Sequence, residues 1–507
     1  MKMPEVMDTT LRDGEQMDNV SFSPSEKLNI AKKLIEMGIG RIEVASARAV
    51  KEDEEALGKI CAWAKENDRL DSIEVLGFVD KTESVDWINK SGGKVINLLA
   101  KGSENHCSKQ LGKTLDEHLS DIGQTVEYAA GKGMQVNVYL EDWSNGMMHS
   151  EDHVFRMVKG LEAMKVRRVM LPDTLGILSP WTTEKYVKEM LARFPETHFD
   201  FHAHNDYDLG SANALSALKA GVHGIHVTAN TLGERAGNCS LYAVVAGAKD
   251  YLNLDLKVEE EGFYELKRMV ETASGIRMQP TAPIVGENVH RQTSGVHADG
   301  DRKARLYMNK LSAERFGKST TTAYPLGKQS GESSIRMNLE QIGLELDDEA
   351  LKKVTNRVRE LGGVGKTVMP EDLYFIAKDI FEQPKQMPFR FLNAKSDISM
   401  TGARIGYVKI LLNGEELEAT GTGAGGYDAI MNALRSVMAQ KNVQLPELTD
   451  YQPRIPQGGK TSALVETVIE WKHDDRYFST IGVDSDQTIS AVRATEKMVN
   501  IILMKYK

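Results

Sequence analysis

Four residues carry most of the chemistry that this chain offers. Arg12 and Asp13 lie in Leu-Arg-Asp-Gly-Glu-Gln (Leu11 to Gln16), and His202 and His204 lie in Phe-His-Ala-His-Asn-Asp (Phe201 to Asp206). They are a cation, a carboxylate and two imidazoles. Side chains alternate faces along a strand, so a His-x-His pair there projects both rings the same way. Two imidazoles and a carboxylate, with positions left open for substrate, describe a catalytic metal site rather than a closed structural one. A divalent ion is therefore expected, and this donor set admits manganese, zinc, magnesium or cobalt. Each piece alone has an ordinary reading, because most His-x-His pairs are surface or core residues. The expectation depends on a fold that brings the two segments together.

The elements needed for that recur at regular intervals. Apolar, β-branched runs at 4–11, 41–47, 73–79, 94–100, 135–141, 167–173, 198–204 and 222–230 read as strands. Helical periodicity fills stretches between them, at 25–37, 52–66, 115–130, 153–164, 182–194 and 211–220. Eight alternating units predict a TIM (β/α)8 barrel, whose active site lies at the carboxyl ends of its strands. Reactive side chains track those ends. Arg12 and Asp13 follow the first strand, Glu141 ends the fifth, and Asp173 and Thr174 end the sixth. His202 and His204 close the seventh, and Asn230 and Asn238 follow the eighth. In a closed barrel, only the eighth strand separates the first from the seventh.

Composition bounds the rest. The chain has 507 residues with 41% apolar content, enough for two or three domains. The texture divides it into a barrel at 1–270, a helical linker region at 271–388 and an α+β domain at 389–507. Residues 258–280 read as a helix, 281–300 as irregular, and the charged sequence to about 383 as mostly helical, with a Pro-containing linker at 383–388. Strands follow at 389–395, 404–414 and 415–423, with a helix at 427–440. A second round has strands at 462–472 and 475–483 and a helix at 488–503. Two strands and a helix used twice make a weak internal repeat, suited to effector binding or dimerisation. A net charge of −10 without a basic block gives no footprint for nucleic acid. Three cysteines, Cys61, Cys107 and Cys239, are too few and scattered for a disulfide frame. No apolar stretch nears the roughly 20 residues of a membrane span, and the N-terminus carries no signal peptide. The expected location is the cytoplasm.

Other signals fail on inspection. Gly365-Lys366-Thr367 and Gly459-Lys460-Thr461 lack the earlier glycine of a phosphate loop, having Glu360 and Arg454 there. The glycines at 421, 423, 425 and 426 read as a turn between strand and helix, since no parallel βαβ unit surrounds them. His106, His118, His149, His223 and His226 read as core or solvated histidines. The acidic run 52–55 reads as a helix start facing water.

The motifs taken together resemble one family. LRDGEQ followed by Lys27, FHAHND (Phe201 to Asp206) and LGERAGN (Leu232 to Asn238) are similar to the hallmarks of the 2-isopropylmalate, homocitrate and citramalate synthases. RIPQGGKTSALVET (Arg454 to Thr467) resembles that family's amino-acid-binding regulatory domain, so the resemblance spans essentially the whole chain. RIEVASAR, EVLGFVD, NVYLEDWSNG and HNDYDL are similar to the citramalate synthases within it. Isopropylmalate synthases tend instead to have Gly-Phe-Pro after the second strand. One departure stands out: the broader family usually has glycine where this chain has Asp208.

The resemblance implies a Claisen-type condensation of acetyl-CoA, the co-substrate, with a 2-oxo acid, ended by thioester hydrolysis. It implies a metal on Asp13, His202 and His204 with Asn238 as fourth ligand, and Arg12 stabilising a developing oxyanion. Thr174 is then expected to hold the substrate carboxylate and Glu141 to act as an acid/base group. His297 and Tyr307 match residues that help to deprotonate acetyl-CoA, supplied over the barrel mouth by a second subunit of a homodimer. Leu76, Leu99 and Tyr139 match bulky pocket positions that admit pyruvate and exclude the isopropyl group of 2-oxoisovalerate, and Tyr139 lies two residues from Glu141 on one strand face. Isoleucine is the expected feedback effector, with Tyr451, Ile455, Thr461 and Val465 at its pocket. Three other readings compete: a 2-isopropylmalate synthase, a metal-dependent C–C lyase on the same barrel, and a non-catalytic effector-binding protein. The regulatory domain argues against the lyase, and the intact ligand set against the last.

Overall fold

The computed structural model describes all residues except 1–2, 291–296, 298–299, 301–303, 308, 319–325, 328–329, 342–345, 364–367, 369–371, 374–375, 378–386, 398–401, 455–464, 475 and 506–507. Eight parallel strands close into a barrel in chain order. They are β1 (Glu5–Asp8), β2 (Arg41–Ser46), β3 (Ile73–Phe78), β4 (Val95–Lys101), β5 (Gln135–Glu141), β6 (Arg168–Asp173), β7 (Phe199–Ala203) and β8 (Gly224–Val227). β8 pairs back onto β1 with Val6 opposite Ile225. The predicted barrel and the order of its strands hold. β1 and β8 are shorter than expected; the carbonyl of Thr9 turns the chain after β1 by accepting from the N–H groups of Arg12, Asp13 and Gly14.

Both faces of these strands are buried, for different purposes. Ile42, Val44, Val75, Ile96, Leu98, Val136, Val138, Val169, Leu171, Phe199 and Phe201 join the core shared with the surrounding helices. Each such side chain, fully buried, contributes about 1.5–3 kcal/mol. The alternate positions form a separate cluster of Met7, Leu76, Tyr139 and Met170, with Leu99 packed against it. Helix starts follow capping chemistry. Ser23, Thr114 and Ser179 each accept from a backbone N–H of the first turn and complete a capping box, opening the helices Pro24–Glu36, Leu115–Gly131 and Pro180–Arg193. The helices Glu83–Lys90, Trp143–His149 and Leu241–Leu252 were not foreseen. The first two are a turn or two long, too short for periodicity to register. The third is apolar almost all round, with little amphipathic contrast. The helix expected at 258–280 spans only Phe263–Ser274, stopped by Gly275 at φ 72.

The chain divides into two compact units, Met1–Val289 with Lys310–Lys318, and His290–Asn309 with Ser319–Lys507. The second unit contains the helices Glu332–Gln341 and Asp348–Gly363, packed through Ile335, Leu339, Leu351, Val354 and Val358. It also contains two antiparallel three-stranded sheets. One has β9 (Phe389–Ser396), β10 (Arg404–Leu412) and β11 (Glu415–Gly423) in the order β11-β10-β9, followed by the helix Gly426–Gln440. The other has β12 (Glu447–Arg454), β13 (Val465–His473) and β14 (Arg476–Asp484), followed by the helix Gln487–Lys505. The repeat is therefore three strands and a helix, twice, rather than two and a helix. β12 escaped notice because its sequence, ELTDYQPR, is polar and contains Pro453. As an edge strand it tolerates the missing N–H. Of the glycines expected to form the strand-to-helix turn, Gly421 and Gly423 lie in β11, Gly425 caps the helix and Gly426 opens it. Among the described residues no helix is long and apolar enough to cross a membrane.

Candidate active site

The turn after β1 and the end of β7 meet as expected. Asp13, His202 and His204 are all buried and place one ligand atom each within 4.8 Å of one another. Asp13 Oδ2 lies 3.1 Å from His202 Nε2, and His202 Nε2 lies 3.4 Å from His204 Nε2. Burial pushes His204 down to about 4, so its ring is neutral at physiological pH. Burial opposes the charge of Asp13, yet Arg12 and the two imidazoles hold its carboxyl well below the usual range. Two imidazole nitrogens facing each other beside a buried carboxylate suit a shared cation between them. The buried Oδ1 atoms of Asp13 and Asn238 also lack hydrogen-bond partners. This donor set fits a divalent metal.

Asn238 reaches the cluster through local backbone constraints. The loop after β8 runs antiparallel beside the end of β7, with Asn238 bridged to His204 and Cys239 N donating to Ala203 O. Gly237 permits this at φ 84, where a Cβ would fall 1.9 Å from Thr231 O. In this arrangement Asn238 Nδ2 donates to Asp13 Oδ2 at 2.9 Å, and a half-turn of the amide would present its oxygen instead. Arg235 of the same loop pairs with Asp206 at 2.8 Å and donates to Thr174 O at 2.7 Å, tying the ends of β6, β7 and β8. Asn230, by contrast, turns away from the cluster, accepting from Tyr242 Oη and donating to Lys267 O.

Arg12 is buried and oriented by a residue the sequence reading missed. Its Nε donates to Glu43 Oε2 at 2.5 Å, its Nη1 lies 3.6 Å from Asp13 Oδ1, and its guanidinium sits 5.8 Å from the Tyr139 ring. Glu43 is fully buried and also accepts from Asn97. The signal for it existed: one acidic residue sits between Ile42 and Val44 in the middle of a strand whose two faces are buried. Glu141 is likewise paired, with Lys101 directly opposite it on β4. Thr174 Oγ1 accepts from Asp142 N at 2.9 Å. Lys27, for all its place in the resemblance, is a buried brace, paired with Glu15 at 2.6 Å and Asp53 at 2.5 Å. Asp53 is buried for that reason, which corrects the expectation of a fully solvated acidic run at 52–55.

The expected pocket residues gather beneath this cluster. Leu76 and Tyr139 belong to the interior apolar group, and Leu99 packs on it. The Tyr139 ring stands edge-on to His202 at 5.9 Å, and its hydroxyl lies 3.2 Å from His226 Nδ1. His297 and Tyr307 belong to the second unit, where their rings stack 4.1 Å apart. Tyr451 packs against Tyr427 at 5.4 Å, and Val465 opens β13. Ile455 and Thr461 lie outside the described residues, as do the triplets 365–367 and 459–461 and part of the linker at 383–388.

Comparison with known proteins agrees with this geometry. The HMGL-like family matches residues 3–270, a homocitrate synthase post-HMGL domain-like family matches 284–366, and the LeuA allosteric (dimerisation) domain matches 367–503. A Methanothermobacter thermautotrophicus protein provisionally named an (R)-citramalate synthase is 32% identical, covering 99% of this chain and 98% of its own. The (R)-citramalate synthase of Methanocaldococcus jannaschii is 31% identical, covering 99% of this chain and 100% of its own. The 2-isopropylmalate synthase of the same organism is 28% identical, covering 99% of this chain and 95% of its own. A closed barrel with a metal-competent Asp-His-His cluster at its mouth, matched over its length, defines the class: this chain belongs to the HMGL-like family. Within that family it is an acyltransferase of the citramalate and 2-isopropylmalate synthase type.

Proposed function

We propose that the enzyme condenses acetyl-CoA with pyruvate and water to give (R)-citramalate and CoA, in isoleucine biosynthesis. The observation that carries this reading is the buried Asp13, His202 and His204 cluster, with Arg12 beside it and the Leu76, Leu99 and Tyr139 wall beneath. A divalent metal on those ligands, with Asn238 completing the set, would supply Lewis acidity to the ketone of a chelated 2-oxo acid, worth several kcal/mol. Arg12, held by Glu43, stabilises the oxygen on which negative charge develops. Thr174 donates to the substrate carboxylate, its own oxygen being engaged by Asp142 N. His297 and Tyr307, brought by a second subunit, help to remove a methyl proton from acetyl-CoA. The resulting carbon nucleophile bonds to the ketone carbon of pyruvate, and the alkoxide takes up a proton. Water then attacks the thioester carbonyl while Glu141 accepts its proton, and the C–S bond breaks to release the carboxylic acid and CoA thiol.

Bulk at Leu76, Leu99 and Tyr139 leaves room for a methyl group but opposes an isopropyl group, and each methylene alters discrimination by about 1–3 kcal/mol. The match to a LeuA allosteric (dimerisation) domain supports a homodimer with feedback control. Isoleucine is the proposed effector, with Tyr451, Ile455, Thr461 and Val465 around it. A second reading, 2-oxoisovalerate as acceptor, is favoured by the comparable similarity to a 2-isopropylmalate synthase. Initial rates of thiol release from acetyl-CoA decide between them. Release with pyruvate well above that with 2-oxoisovalerate is expected, and the reverse preference rejects the pyruvate assignment.

A further inference from the structure

Asp142 follows β5 and opens the helix Trp143–His149 with its backbone in the left-handed region, at φ 66 and ψ 27. A residue with a side chain is disfavoured there, so surrounding contacts must hold it. Aspartate at a helix start ordinarily accepts a hydrogen bond from that helix's own first turn. Asp142 makes no such cap. Its carboxylate reaches the loop after β4 instead. Oδ2 accepts from Ser103 Oγ at 2.6 Å and lies 3.4 Å from His106 Nε2, while Oδ1 accepts from Asn145 Nδ2 at 2.7 Å. The residue is 1% exposed.

These contacts fix the peptide between Glu141 and Asp142 on both sides. Its carbonyl, that of Glu141, accepts from Gly102 N at 2.6 Å, and its N–H, that of Asp142, donates to Thr174 Oγ1 at 2.9 Å. One peptide unit thus joins the rims of β4, β5 and β6. Rotating Asp142 into an ordinary conformation would swing that N–H away from Thr174 and re-aim Glu141.

We propose that Asp142 is a positioning residue for the condensation: its anchored carboxylate holds the left-handed turn that sets Glu141 and Thr174 relative to each other. This rests on the roles proposed above for those two residues. The test compares Asp142→Gly, Asp142→Asn, Ser103→Ala, Glu141→Gln and the double variant Glu141→Gln/Asp142→Gly in the full-length enzyme. The readouts are thiol release with pyruvate (kcat and KM separately), Mn2+ binding by calorimetry and thermal melting.

Glycine accepts the left-handed backbone but has no tether, so Asp142→Gly is expected to lower kcat about 100-fold and raise KM for pyruvate, with Mn2+ affinity unchanged. Asparagine tolerates the same conformation and can still accept from Ser103, so Asp142→Asn should stay within about five-fold of the parent. Ser103→Ala, which keeps the backbone of residue 142 intact, should lower kcat about ten-fold; it carries the test if the glycine variant does not fold. Because Asp142 acts on kcat through Glu141 and on the KM for pyruvate through Thr174, the double variant should have a kcat no lower than Glu141→Gln alone, with the raised KM retained. Near-parental kcat in Asp142→Gly or Ser103→Ala, an asparagine variant as slow as the glycine one, loss of Mn2+ binding, or kcat losses that multiply in the double variant would each overturn the proposal alone. A silent Glu141→Gln would remove the role of Glu141 and the proposal with it.

Discussion

The floor and the mouth of this barrel are built from the same residue types and put them to opposite uses. At the floor, Arg41 pairs with Asp200, with Glu74 at 3.3 Å and with Glu5 at 3.2 Å, while Arg168 pairs with Glu5 at 2.7 Å. His226 and His198 close on Asp200 at 3.1 and 3.0 Å. At the mouth, Arg12, Asp13, His202 and His204 form a cluster of the same composition, but its histidine nitrogens face each other and the Oδ1 atoms of Asp13 and Asn238 lack hydrogen-bond partners. Buried charges that answer one another hold a fold in register, and removing one leaves its partner exposed to the low-dielectric interior. At the mouth two imidazole nitrogens instead converge on each other and on one carboxylate, the arrangement of a metal's ligands. A difference in arrangement, not in composition, separates structure from chemistry here.

The largest effect should come from the mouth. Asp13→Ala is expected to reduce thiol release by about 1,000-fold or more, because it removes both a proposed metal ligand and the anion beside Arg12. Mn2+ binding by calorimetry should fall with it, while thermal stability falls less than in Asp200→Ala, since Arg12 keeps Glu43 as a buried partner. A comparable loss of stability would erase the contrast with the floor. The next effect is the converse. Asp200→Ala should cost about 3 kcal/mol in urea unfolding by leaving Arg41 and His226 short of a partner, with the specific activity of the folded fraction nearly unchanged.

The floor also dictates a pH dependence. Burial opposes the charge on Asp200, but Arg41, His198 and His226 hold its carboxyl well below the usual range. Burial pushes His226 down to about 3 in spite of Asp200. In both groups the unfolded state binds more protons on the acid side, so the stability they confer is present at neutral pH. The His226 share is lost as pH falls from about 6.5 toward 3, and the Asp200 share at lower pH still. Urea midpoints measured from pH 7 to pH 4 should therefore decline, and less steeply in His226→Asn.

Between floor and mouth lies Glu43, which joins them. Glu43→Gln should lower kcat by about 30-fold, in line with the roughly 1.5–3 kcal/mol carried by a hydrogen bond to a charged group, with a smaller change in stability. A kcat equal to that of the parent would show that Arg12 is held adequately by Asp13 and Gln16. Smaller again is the pocket. Leu99→Ala should shift the ratio of kcat/KM for 2-oxoisovalerate over pyruvate by about ten-fold toward the larger acid. An unchanged ratio would assign Leu99 to packing alone.

Much of this was legible in the chain because the informative residues obey simple periods. Eight apolar runs at regular spacing disclosed the barrel, and polar residues at their ends disclosed its mouth. Arg12, Asp13, His202 and His204 were readable because each is a reactive type within five residues of the carboxyl end of a strand. Glu43, Lys101 and Asp142 were not singled out, since their importance lies in which neighbour they touch across strands, and a linear pattern carries no such pairing. Asp142 is concealed further by its conformation: aspartate after a strand reads as an ordinary helix cap, and only the backbone shows that its carboxylate is used elsewhere. β12 was lost for the opposite reason, its Pro453 and polar residues imitating a loop at a sheet edge.

Asp208 supplies the finest test of whether strain at the mouth is purposeful everywhere or only at Asp142. Its backbone is also left-handed, at φ 58, where the resemblance leads one to expect glycine. Yet it is exposed, and its carboxylate accepts from Asn205 Nδ2 at 3.2 Å. Replacing it with glycine relieves a left-handed cost of about 1 kcal/mol, while the greater freedom of glycine in the unfolded chain takes back about 0.5–1 kcal/mol. Asp208→Gly is therefore expected to leave urea stability within about 0.5 kcal/mol of the parent and thiol release within about two-fold, whereas Asp208→Val, β-branched and disfavoured at this φ, should lose about 1–2 kcal/mol. A fall in kcat for Asp208→Gly approaching that of Asp142→Gly would mean that the turn after β7, like the turn after β5, aims catalytic groups through its side chain. Near-neutral behaviour would confine that role to the residue whose carboxylate is anchored on three sides.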